Sequence, residues 1–98
     1  MMMFLKKYNF TDDDLKELQQ VLTDDNILEI EMNEERVCSI LDYFFKIGIS
    51  NLKDIILCKP TLFYEQLSFI QDRIEHSKIS NIIDQIKENP LAFDLIGL

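Results

Sequence analysis

Tryptophan is absent from this 98-residue chain, and only two glycines, two prolines, two cysteines and one histidine occur in it. Each scarcity excludes some chemistry. Phosphate-cradling loops are built from clustered glycines, and two isolated ones, Gly48 and Gly97, supply no such loop. A structural zinc site takes about four ligands. Cys38, Cys58 and His76 fall short of that, so no metal and no cofactor is expected. The two cysteines stand beside apolar neighbours and read as buried free thiols on helices. Nothing in the sequence brings Cys58 to His76 as a nucleophile–base pair. Apolar runs stay well short of the roughly 20 residues that span a membrane. The start, Met1 to Lys7, has its apolar and basic parts in the wrong order for a signal peptide. We therefore expect a cytoplasmic protein with no catalytic role and no membrane partner.

Positive charge is also scarce: ten Lys/Arg stand against eighteen Asp/Glu, a net charge of −8. The imbalance is local. Residues 1–45 hold four basic and eleven acidic side chains, whereas residues 46–98 hold six and seven. An acidic N-terminal half repels polyanions such as nucleic acid and attracts basic partners.

What the chain does have is apolar residues, 47 % of the total, spaced for helices. One domain, 1–98, with a modest core is expected. Thr11 before Asp12, Asp13 and Asp14 marks a helix start in which the aspartates cap rather than bind a cation. Leu15, Leu18 and Leu22 then share one helical face. Ile27, Leu28, Ile30 and Met32 fit a short strand or, preferably, a helical turn. Asn33 is the next cap, followed by an apolar stripe of Val37, Ile40, Leu41 and Phe44, with Gly48 as terminator. Tyr43 and Phe45 fall off that stripe and are assigned to core packing.

The strongest signal is a repeat. Residues 49–63, ISNLKDIILCKPTLF, recur thirty positions later as 79–93, ISNIIDQIKENPLAF, with seven of fifteen positions identical. Ser50 and Ser80 are expected to cap short helices that Pro60 and Pro90 stop. After Pro60, Phe63, Leu67, Ile70 and Ile74 mark a longer helix, with His76 on the surface at its end. A fixed period of this length indicates stacked units that bury their faces on one another. The predicted fold is all-α: a short α-solenoid of stacked repeats of about thirty residues. Its parts are a degenerate N-terminal unit at 10–48, a unit at 49–78 and a partial unit at 79–98. The last unit ends in an apolar tail, Leu91, Phe93, Leu95, Ile96 and Leu98, which either folds back or meets another chain.

The sequence Phe44-Phe45-Lys46-Ile47-Gly48-Ile49-Ser50, followed by Lys59-Pro60-Thr61-Leu62-Phe63 and by Ile79-Ser80, resembles the repeat of the mitochondrial transcription termination factor (mTERF) family. That resemblance implies pairs of helices with a short helical turn at the proline, stacked into a curved solenoid. It also implies nucleic-acid binding along a basic groove, for which Lys46, Lys53, Lys59, Arg73, Lys78 and Lys87 are the candidate phosphate contacts. The charge balance points instead to a small non-catalytic interaction module. Its partner would be a protein or a second copy, met through the 91–98 tail or through the acidic N-terminal face.

Overall fold

The computed structural model describes residues 2–98, an elongated body of 37 × 23 × 22 Å. Every regular element among the described residues is helical. The α-helices are α1 (Asp12–Val21), α2 (Asp24–Met32), α3 (Glu34–Lys46), α4 (Leu52–Cys58), α5 (Leu67–Glu75) and α6 (Ile82–Glu88). Three 3₁₀ segments, Met3–Tyr8, Pro60–Tyr64 and Pro90–Ile96, complete the order. None of the helices is long and apolar enough to cross a membrane.

Local chemistry fixes most boundaries. Thr11 Oγ1 accepts from the Asp14 N–H at 3.1 Å, and Asp14 Oδ2 accepts from the Thr11 N–H at 2.9 Å. This reciprocal cap starts α1 and accounts for Asp14 without a cation. Thr23 starts α2 by accepting from the Asn26 N–H, so Ile27 to Met32 are helical. At the end of α3, Gly48 takes φ +90°, where an L side chain is strained. Its N–H donates to the Phe45 carbonyl at 3.1 Å, and the Ile49 N–H donates to the Phe44 carbonyl at 2.9 Å. That pair of bonds satisfies two carbonyls the helix leaves open.

Five expectations need correction. Asn33 does not cap α3 through its side chain; Nδ2 donates back to the Glu29 carbonyl at 2.9 Å and closes α2. Ser50 and Ser80 lie one residue before the N-cap positions, which Asn51 and Asn81 occupy. The helix expected after Pro60 is broken. A 3₁₀ turn ends at Tyr64, Glu65 and Gln66 are extended, and α5 begins at Leu67. Cys58 is exposed, because it ends a seven-residue helix whose inner face is already filled by Leu52, Ile55 and Ile56. Phe45 is 67 % exposed, since Phe44 and Tyr43 occupy the inward side of that turn.

Both copies of the repeat fold alike: seven helical residues, then a 3₁₀ segment opened by proline. Proline suits that opening position because its missing N–H would have had no partner there. Ile56 and Ile86 are fully buried, and so, within 1 %, are Phe63 and Phe93. Phe44 lies between the last two: its ring centroid is 6.4 Å from that of Phe63, edge-on, and 5.6 Å from that of Phe93. Three aromatic rings thus tie α3 to both copies, each ring removing large apolar area from water. The copies also touch directly. Asn51 Nδ2 donates to the Ile86 carbonyl at 3.1 Å, Lys59 pairs with Asp94 at 2.5 Å, and α4 packs on Pro90–Ile96.

Candidate functional site

The second copy leaves an apolar surface open that the first does not. Ile49 is fully buried, whereas its counterpart Ile79 is 38 % exposed. Ile79, Leu95 and Ile96 line a hollow of about 270 Å3 between the end of α5 and the last 3₁₀ segment. Asp72, Arg73, His76, Ser77 and Lys78 complete the lining. The rim is therefore predominantly cationic. Asp72 is engaged by His76, whose Nδ1 lies 3.1 Å from its carboxylate.

Arg73 holds this hollow together. Its guanidinium lies over the Phe69 ring at 5.3 Å, a cation–π contact. It also fills the space a side chain would need at Gly97: a Cβ built there would sit 2.9 Å from Nη2. Gly97 has φ +78° and ends the 3₁₀ segment as Gly48 ends α3. Its N–H donates to the Asp94 carbonyl at 3.2 Å and the Leu98 N–H to the Phe93 carbonyl at 3.0 Å. The two corners carry one sequence pattern, Phe-x-x-Ile-Gly-aliphatic, at 44–49 and at 93–98. That second repeat is readable in the sequence, at a spacing other than thirty residues.

The five tail residues separate. Phe93 is fully buried beside Phe44 and cannot meet a partner, which corrects its assignment to the contact surface. Leu98 turns back and, with Thr61, Leu62, Tyr64, Glu65 and Gly97, lines a second hollow of about 210 Å3. Leu91 and Leu95 are exposed at 51 % and 55 %, and of these only Leu95 lines the hollow beside Arg73. Ile79, Arg73 and Lys78 join Leu95 and Ile96 there, a grouping that only the turn at 76–81 creates.

The basic residues separate too. Lys53 Nζ lies 3.1 Å from Asp14 and 3.0 Å from Glu17, and Lys59 is paired with Asp94. Hydrogen bonds to Glu17 and Asp14 hold the Lys53 ammonium above its ordinary pKa. Both amines are thus occupied in joining elements of the fold. Lys87 lies near Gly48 and 3.9 Å from Asp84, while Lys46 is exposed at the end of α3. Arg73 and Lys78 belong to the hollow.

The row Asn51, Ile55 and Lys59 runs along α4 at one-turn spacing, and its two ends, Asn51 and Lys59, bond to the second copy. Its counterpart on α6 is Asn81, Gln85 and Asn89. All three of these are polar, and the Gln85 side chain donates to the Ser80 carbonyl at 3.0 Å. Among the described residues, no three His, Cys, Asp or Glu side chains converge as a metal site. No family model matches the chain, and neither does any curated protein or solved structure.

Proposed function

We propose that this chain is a small non-catalytic interaction module whose working surface is the hollow formed by Ile79, Leu95 and Ile96. The observation that carries this reading is the contrast between Ile49 and Ile79. One repeat position is fully buried in the first copy and 38 % exposed in the second. An apolar cluster framed by Arg73 and Lys78 has the composition of a docking site, with an apolar centre and a charged rim.

In this reading the two copies are stacked units of a short α-solenoid, and the polar row on α6 ends the stack as terminal repeats do. A partner therefore meets the side of the last unit, at the hollow, rather than extending the stack. The test is a photo-crosslinking amino acid placed at Leu95 and, as control, at exposed Gln20 on α1. Protein adducts at position 95 and not at 20 are expected. Equal labelling at both positions would remove the hollow as the working surface.

A second reading is nucleic-acid binding of the mTERF type. It rests on the sequence resemblance at 44–50, 59–63 and 79–80. The occupation of Lys53 and Lys59 by carboxylates weighs against it, because both would have to exchange an internal partner for phosphate.

A further inference from the structure

We infer that the occupant of the hollow is a second copy of this chain, presenting the exposed ridge of α2. This rests on the hollow being the working surface, and it adds the partner. The ridge consists of Leu28 and Met32, one turn apart and exposed at 57 % and 73 %. Asp24 and Asp25, one turn before Leu28, and Glu35, at the start of α3, are exposed beside it. Arg36 on the following helix already pairs with Glu29 at 2.7 Å, so it leaves those three carboxylates uncompensated. The ridge is apolar with an acidic border.

The hollow is its complement in both respects. Its floor is aliphatic, and Arg73 and Lys78 on its border have the opposite charge to Asp24, Asp25 and Glu35. Asp72, with His76 against its carboxylate, offsets part of that charge. Burying the apolar centre supplies affinity, while the charged borders set orientation and encounter rate. Two different surfaces meet, so the contact is heterologous: head of one copy to tail of the next. Each dimer would keep one free ridge and one free hollow.

Sedimentation velocity of the full chain up to about 1 mM tests this, using wild type, Met32→Glu and Leu95→Glu. Both substitutions are at exposed positions, and circular dichroism verifies that each variant is folded. Wild type should associate with increasing concentration, more strongly at low salt. Each variant alone should lose at least about tenfold in association constant. Mixed in equal amounts, the two variants should form one dimer and stop, because each retains the surface the other lacks. Three results overturn the inference: a wild type that is monomeric throughout, variants that dimerise alone, or a mixture that stays monomeric. The first leaves the hollow open to other proteins, as crosslinks from position 95 would reveal. If wild type associates and Leu95→Glu does not weaken it, both the second copy and the hollow's part in that association fail.

Discussion

Asn51 donates its side-chain amide to the carbonyl of Ile86 at 3.1 Å, joining the start of α4 to the last turn of α6. Carbonyls in the final turn of a helix have no partner within it, so this bond satisfies one across the junction between the two copies. The same side chain leaves its Oδ1 buried without a partner among the described residues. Its counterpart Asn81 is exposed, in the left-handed conformation at φ +56°. Replacing Asn51 with Ala should therefore cost about 1–3 kcal/mol, the range for orphaning a buried polar group. Asn81→Gly, which keeps the left-handed backbone accessible, breaks no such junction bond. Urea unfolding of the two variants side by side measures the difference, and equal costs would deny the junction.

Ile49 and Ile79 offer a second matched pair. Truncation to Ala should cost about 2–5 kcal/mol at the buried Ile49 and less than about 1 kcal/mol at the exposed Ile79. Phe44→Ala should cost about 3–5 kcal/mol, since its ring supports both Phe63 and Phe93. Thermal unfolding of the three variants ranks them.

Much of this was legible before folding. Thr11, Gly48 and the two prolines announce themselves because capping and proline chemistry act within four residues. The thirty-residue repeat likewise produced two matching helix-plus-3₁₀ pairs. What stayed hidden depends on distant neighbours. Ser50 has the residue type of a cap, whereas Asn51 is the N-cap and bonds to a helix 35 residues away instead. Phe93 looked like part of an open tail, yet Phe44 draws it inside. Lys53 and Lys59 looked like free cations, yet each joins two elements. The hollow combines residues from α5, the turn after it and the last 3₁₀ segment, and no local pattern marks such a grouping.

Acid titration gives a signed prediction at Asp14. The backbone hydrogen bond from Thr11, followed by the bond from Lys53, holds its carboxyl below the ordinary 3.8. A lowered pKa means that the ionised form stabilises the fold. This contribution is complete above the unfolded value and disappears as pH falls through the folded one. Lys53→Met should move the Asp14 pKa back toward 3.8 in a carbon-detected NMR titration; an unmoved value would contradict the pairing.

Tyr43 works in the opposite direction. Burial first, and Glu75 second, push its phenol from 10.0 up to about 12. The neutral form stabilises the fold, fully below pH 10.0 and progressively less as pH rises to about 12. Tyr43→Phe should retain more of its stability across that window than wild type. At neutral pH it should give up about 0.5–1.5 kcal/mol with the hydroxyl–Glu75 bond. Chemical unfolding at neutral and alkaline pH measures both.

Thiol chemistry checks the corrected placement of the cysteines. Under native conditions a thiol reagent should label Cys58 promptly and Cys38, buried on α3, only on unfolding. Two equally fast thiols would contradict that placement.

The central claim is that an apolar hollow, and not a phosphate-binding row of lysines, is what this module works with. Fluorescence anisotropy of labelled single- and double-stranded DNA and RNA, titrated with the protein at low and moderate salt, tests it most directly. The expected result is a flat titration even at low salt, because the chain carries net −8 and two of its candidate lysines are already paired. Micromolar binding that weakens steeply as salt rises, the mark of phosphate contacts, would contradict it and turn the assignment to nucleic acid.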